Sequence, residues 1–197
     1  MGFDISNIES GVAPVVFDYW VGDDTDATPI ADEKGNLYIA VEKERFNTRS
    51  KEIGQLVKLD PYKEGDPLVW SIEVPGVTDK SVGGIWATPV LYKNNLYVST
   101  HRGELLDVDT DSGQVLWREN IGAHEWGSGS VLDDKLVVPL CDKGSIRAYD
   151  LTQPNEPKML WNLKAGAGCI ESTPAVWKNQ IFFGSRDGYF YKIGDSQ

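Results

Sequence analysis

The chain is predicted to be all-β: a β-propeller built of four-stranded antiparallel blades, with about four blades in its 197 residues. Three observations carry that prediction. Short β-rich runs alternate with turns of two to five residues, and connections that short join only antiparallel neighbours. The pattern recurs at about 40 residues, the size of one propeller blade. Four features also recur at constant phase: a Thr-Pro step opening the unit, a glycine before the third strand, an aspartate six residues beyond it, and a tryptophan in the fourth strand.

The clearest unit spans 86–122. Residues 88–92 (TPVLY) form a short apolar run, 96–100 (LYVST) a second strand, 105–108 a third and 114–119 (QVLWRE) a fourth. Between them stand Lys93-Asn94-Asn95, His101-Arg102-Gly103 and 109–113 (DTDSG), all rich in residues that accept turn conformations. Thr-Pro recurs at 28–29, 88–89 and 173–174, and Trp126-Gly-Ser-Gly129 opens a unit without proline. The fixed glycines are Gly54, Gly103, Gly144 and Gly188, followed by Asp60, Asp109, Asp150 and, as a departure, Gly194. The fourth strands carry Trp70, Trp117 and Trp161.

Taken in order, residues 1–197 read as one domain. Residues 1–22 are the outer strand of a split blade, 24–76, 84–122 and 124–166 are whole blades, and 168–194 are three strands of the split blade. Phe3-Asp4 matches the end of a third strand, and 12–20 (VAPVVFDYW) a fourth, with Phe17 where the others have Trp. The first whole blade carries a polar insertion at 42–53 with Lys43, Arg45, Arg49 and Lys51, read as a solvated loop, a lengthened hairpin or a partner-binding flap. Pro139 falls in a strand expected to be interior, which predicts a bulge or a weakened ladder there. No amphipathic helix is evident.

Asp107-x-Asp109-x-x-Ser112-Gly113-x-x-x-Trp117 resembles the tryptophan-docking motif of the pyrroloquinoline-quinone (PQQ) propeller repeat, usually Ala-x-Asp-x-x-Thr-Gly-x-x-x-Trp. Ala148-Tyr149-Asp150 with Trp161, and Asp60 with Trp70, are looser versions with longer turns. The resemblance implies radially arranged blades, with Trp70, Trp117 and Trp161 each wedged against the next blade. The repeat is shared by quinoprotein dehydrogenases and by cofactor-free scaffolds, including the lipoprotein propeller of bacterial outer-membrane assembly. Members that bind the quinone have an adjacent Cys-Cys pair and calcium ligands. Here Cys141 and Cys169 are far apart in sequence, so no cofactor is expected within this chain; PQQ with Ca²⁺ is the alternative. The resemblance also implies export to a periplasmic or extracellular location, and usually seven or eight blades. Half of a longer propeller, a half ring completed by a second copy, and a closed four-bladed ring are all compatible with the phase of the two ends. The open forms leave bare edges that need a protein partner or a second copy.

The formal net charge of −11 argues against nucleic acid and anionic membranes, which require clustered Lys and Arg. No apolar run approaches the length of a membrane-spanning helix, so no membrane insertion is expected, and the N-terminal residues lack the basic and apolar regions of a signal peptide.

Chemistry, if any, belongs to the loops. In a propeller, the loop before the first strand and the turn between the second and third strands share one face. That register brings His101 toward His124 and Cys141 toward Cys169, each across a blade boundary. The two histidines with Glu125 are a candidate metal site, and the cysteines a candidate disulfide if their Cα atoms lie within about 7 Å. The recurring Asp60, Asp109 and Asp150 are read as turn-builders rather than acids or bases. Gly83-Gly84 and Gly166-Ala-Gly168 lack the context of a phosphate loop. No catalytic residues are assigned. The leading expectation is a non-catalytic binding scaffold. Its alternatives are part of a PQQ-dependent oxidoreductase whose ligands lie outside these residues, and a metal-binding module.

Overall fold

A strand of four or five residues is stable only when something covers its apolar face, and between successive blades the cover is the neighbouring sheet. The computed structural model describes residues 1–78, 80–122 and 124–194. Among them, three four-stranded meanders follow one another. The first is Ile30–Ala31, Leu37–Ala40, Leu56–Leu59 and Leu68–Ile72; the second is Val90–Tyr92, Asn95–Ser99, Glu104–Asp109 and Val115–Asn120; the third is Ser130–Leu132, Lys135–Pro139, Ser145–Asp150 and Lys158–Lys164. A fourth sheet holds three strands, Ala175–Trp177, Gln180–Gly184 and Phe190–Gly194. All neighbours are antiparallel.

The apolar cores lie between the blades. Tyr38, Ala40 and Leu56 of the first blade pack with Leu96, Val98 and Leu106 of the second. Tyr97 and Leu105 pack with Leu136, Val138 and Tyr149 of the third. Val137 and Ile146 pack with Ile170 and Phe183 of the fourth. Stability is therefore a sum of blade-to-blade interfaces.

The tryptophan motif explains how those interfaces are set. In each complete blade the third-to-fourth-strand register slips by one residue just before the tryptophan, so that Trp70 lies opposite Lys58, Trp117 opposite Asp107 and Trp161 opposite Ala148. The repeated bulge adds local twist to the outer strand beside each indole. Trp70 Nε1 donates to Thr110 O at 3.0 Å, and a Cβ at Gly113 would come within 2.8 Å of its ring, so the Ser-Gly turn of the next blade is its seat. Trp117 packs edge-on against Tyr149 at 6.0 Å. Trp161 differs: it is 36% exposed and borders a cavity of about 550 Å³ with Val176, Ile181 and Ile193. Among the described residues, the Trp161 ring meets this cavity rather than a Ser-Gly turn.

The recurring aspartates behave as turn-builders. Asp60 Oδ1 accepts from Tyr62 N–H, Asp109 Oδ1 from Ser112 N–H and Asp150 Oδ1 from Thr152 N–H, at 2.7–2.9 Å. Asp4 Oδ1 does the same with Ser6 N–H at 2.9 Å, which identifies the N-terminal segment as another copy of this turn. The Thr-Pro step is explained at the inner end. Thr28 N–H donates to Thr88 Oγ1 (3.0 Å) and Thr88 N–H to Ser128 Oγ (2.8 Å), tying successive inner strands together. The prolines stand immediately before those strands.

Two expectations are corrected. The 42–53 insertion is not a simple solvated loop or lengthened hairpin: Glu42–Lys43 pairs with Gly83–Gly84, and Asn47 caps a six-residue helix, Thr48–Ile53, whose Ile53 enters a core with Val41 and Val57. Fewer than two turns leave no helical periodicity to read. Its basic residues are largely engaged internally, Lys43 with Glu73, Arg45 with Asp24 and Arg49 with Glu52. Pro139 causes no bulge; it pairs in register with Ile146. Leu140 N–H donates to Ser145 O, so the nitrogen of Pro139 faces the opposite side, where first-strand pairing has already ended at Val137. Among the described residues, the strands read as one split blade lie in separate sheets. Gly2–Phe3 pairs with Val15–Phe17 as a separate sheet, and Phe17 packs on the first blade as Trp70 packs on the second.

Candidate functional site

One position of the repeat gathers the chemistry-bearing side chains. Two residues beyond each second strand stand Glu42, His101, Cys141 and Arg186. Six residues before each first strand stand Asp24, Gly84, His124 and Cys169, and four residues before it Asp26, Trp86, Trp126 and Glu171. The fold brings the first set of one blade against the other two sets of the next.

At the first boundary Glu42 pairs with Gly84, whose φ of 82° and contact with Val41 O leave no room for a side chain. Glu42 is 2% exposed, and its Oε1 has no hydrogen-bond partner. Burial, reinforced by Asp26, Glu44, Asp24 and Asp23, pushes its carboxyl up to about 7.

At the second boundary His124 Nδ1 lies 3.2 Å from His101 Nε2, and His124 N–H donates to His101 O at 2.7 Å. The ring of His101 lies with its centroid 4.0 Å from that of Trp86 and 6.4 Å from that of Trp126. Burial, then the charge of His124, lowers His101 to about 4, so this imidazole is neutral near pH 7. The expected meeting of the histidines is present, but Glu125 does not join them. Its Oε2 accepts from Cys141 N–H at 2.9 Å, its Oε1 has no hydrogen-bond partner, and burial raises it to about 7. The position that would supply a third ligand to the histidines is occupied by Trp126.

At the third boundary Cys141 and Cys169 are joined as a disulfide. Glu171 Oε1 lies 3.5 Å from Cys169 Sγ and 2.8 Å from Arg186 Nη2. Arg186 also lies over the Trp126 ring at 4.8 Å, a cation–π contact linking the second and third boundaries. A cavity of about 420 Å³ opens beside Cys169, Glu171 and Arg186. Among the described residues, Cys141, Cys169 and Glu171 are the one group of three His, Cys, Asp or Glu side chains whose ligand atoms all fall within 4.8 Å of one another.

Sequence register therefore brought together the right loops. It did not single out Trp86 and Trp126, although their shared place four residues before a first strand was available as a signal.

The family model described as "Outer membrane protein assembly factor BamB" matches residues 19–158. No curated protein matches the sequence. Among solved structures, BamB from Moraxella catarrhalis is similar with TM-score 0.68 and 18% identity, over 93% of this chain and 50% of that one. The computationally designed Ika4 protein is similar with TM-score 0.61 and 12% identity, over 91% of this chain and 100% of its own. The quinohemoprotein alcohol dehydrogenase from Comamonas testosteroni is similar with TM-score 0.62 and 16% identity, over 84% of this chain and 29% of that one. The chain thus spans about half the length of the Moraxella protein. At these identities the structural likenesses establish the propeller fold.

Proposed function

The chain belongs to the family of the outer membrane protein assembly factor BamB, and on that premise we propose that it is a non-catalytic propeller module that binds a protein partner in an extracytoplasmic compartment. The observation that carries this reading is the family match over residues 19–158, the span that includes the Trp86–His101–Trp126 row. The Cys141–Cys169 disulfide supports an oxidising location, where such bonds persist. The partner is sought among outer membrane protein assembly components.

A quinone-dependent oxidoreductase fits these residues less well. Its cysteine pair would be adjacent in sequence, whereas Cys141 and Cys169 are 28 residues apart, and both indoles on the loop face are already covered, Trp86 by His101 and Trp126 by Arg186. Titration with PQQ and Ca²⁺, followed by absorbance and melting temperature, separates the two. Stoichiometric quinone binding would sink the scaffold reading. Photo-crosslinkers placed at Trp86 and, as a control on the outer edge, at Tyr62 test the face: capture of an assembly component from position 86 alone is the expected result, and equal capture from both positions would overturn it.

A further inference from the structure

The fold repeats one cross-blade contact three times, but the side chains it gathers differ. At the second boundary they are His101, His124 and Trp126; at the third they are Cys141, Cys169 and Glu171. Only the third set consists entirely of metal-ligating types. We propose that Cys141, Cys169 and Glu171 form a redox-gated site for a thiophilic divalent cation of the zinc class, closed as a disulfide and competent when the cysteines are reduced.

The donor set fits that ion. Two thiolates and a carboxylate suit Zn²⁺, with a fourth tetrahedral position left for water. The ligands come from two separate backbones already held together. Arg186 N–H donates to Cys169 O at 2.9 Å, Ile170 N–H to Leu140 O at 3.3 Å, and Cys141 N–H to Glu125 Oε2 at 2.9 Å. Moving from a disulfide to two thiolates about 3.8 Å apart on a tetrahedral ion asks for side-chain rotation rather than loop rearrangement. Arg186, bonded to Glu171 at 2.8 Å and braced on Trp126, orients the carboxylate in the manner of an outer-shell partner. The cavity beside Cys169, Glu171 and Arg186 gives the ion a path from solvent.

The chemistry balances with a dithiol or phosphine reductant. A dithiol transfers two electrons and two protons to the disulfide, giving two protein thiols and a cyclic disulfide; a phosphine does so with one water, whose oxygen it keeps as the phosphine oxide while its two protons go to the thiols. Binding of M²⁺ then displaces the two thiol protons to the buffer. The proposal does not rest on the scaffold reading, and a protein that binds PQQ would leave it untouched.

The test uses the 197-residue protein and Co²⁺ as a spectroscopic stand-in for Zn²⁺. Protein reduced with a phosphine and freed of reductant without air is titrated beside the oxidised protein. The expected result is one equivalent of Co²⁺ with thiolate charge-transfer absorption and tetrahedral d–d bands in the reduced protein, none in the oxidised one, and displacement by Zn²⁺. Cys141→Ser or Cys169→Ser abolishes the charge-transfer band, Glu171→Gln weakens binding at least tenfold, and His101→Ala leaves it unchanged. Absence of thiolate bands in reduced wild-type protein overturns the proposal without recourse to any variant. Unaltered affinity in Glu171→Gln overturns the assignment of the third ligand.

Discussion

Trp70 and Trp161 occupy the same position of two blades but should contribute unequally. Trp70 is seated: its indole N–H reaches Thr110 O at 3.0 Å, its ring covers Gly113, and it packs into the first interblade core. Trp→Ala at a packed site costs about 3–5 kcal/mol, so about 4 kcal/mol is expected for Trp70→Ala. Trp161 is 36% exposed and faces a cavity of about 550 Å³. At this partly exposed position Trp161→Ala should cost about 2 kcal/mol. The variant Trp70→Phe isolates the hydrogen bond. Thr110 O keeps its second donor, Lys58 Nζ at 2.8 Å, so no buried carbonyl is orphaned and the loss should be about 1 kcal/mol. For a domain of this size 1 kcal/mol moves Tm by about 2–4 °C. Thermal and urea unfolding followed by far-ultraviolet circular dichroism avoid the fluorescence change caused by removing an indole. Equal losses for Trp70→Ala and Trp161→Ala would refute the view that seating in the next blade's turn, rather than intrablade packing, makes this residue valuable.

Three further outcomes are expected. Because the folded state holds Glu42 at about 7 against an ordinary 4.5, its contribution is complete below pH 4.5 and is lost as pH rises through 7. Tm should therefore fall between pH 5 and pH 8, and Glu42→Gln should flatten that slope; parallel slopes for variant and wild type would count against the burial argument. Reduction of the disulfide, or Cys141→Ser with Cys169→Ser, opens a loop of 28 residues and should cost about 3–4 kcal/mol in metal-free buffer, read as a lower urea midpoint. Gly22→Ala should cost about 2 kcal/mol or more, since Gly22 has φ 98° and a Cβ there would lie 2.5 Å from Ser50 N; a neutral result in a melting assay would show that the helix Thr48–Ile53 is not fixed against this turn.

The parts of the molecule legible in the sequence are those enforced by the blade itself, and the illegible parts are those where one blade departs from the others. Asp60, Asp109 and Asp150 recur because each turn needs an acceptor for an N–H two or three residues on, and so their role is legible in the sequence. The helix Thr48–Ile53 was not, because it occurs in one blade only, is too short for a periodic signal, and is held by Asn47 at one end and Gly54 at the other. Asp107 shows a departure at a single residue. The related motif has alanine there, and a fully buried carboxylate would be costly; Asn95 offsets it by donating to both oxygens at 2.9 and 3.0 Å while reaching Asn155 of the next blade's turn at 2.8 Å. Burial nevertheless raises Asp107 to about 6.

The same reasoning places the candidate site. Register alone predicted that His101 would meet His124 and Cys141 would meet Cys169, because those positions are equivalent in every blade. It could not tell which third side chain would complete each pair. Glu125 has the right type and is adjacent to His124, but adjacent residues on an extended segment point to opposite sides. Its carboxylate turns toward Cys141 N–H, while the next residue, Trp126, faces the histidines. Applied at the following boundary, the same alternation puts Glu171, two residues beyond Cys169, beside the sulfur. Chemistry in this fold thus follows a two-residue step from a cross-blade pair, and it changes from blade to blade while the backbone contact stays constant. The histidine pair, lacking such a third ligand, should show no thermal shift with Zn²⁺ in oxidised protein, whereas reduced protein should be stabilised. A Zn²⁺-dependent shift in the oxidised protein that His124→Ala removes would reverse the assignment of the two boundaries.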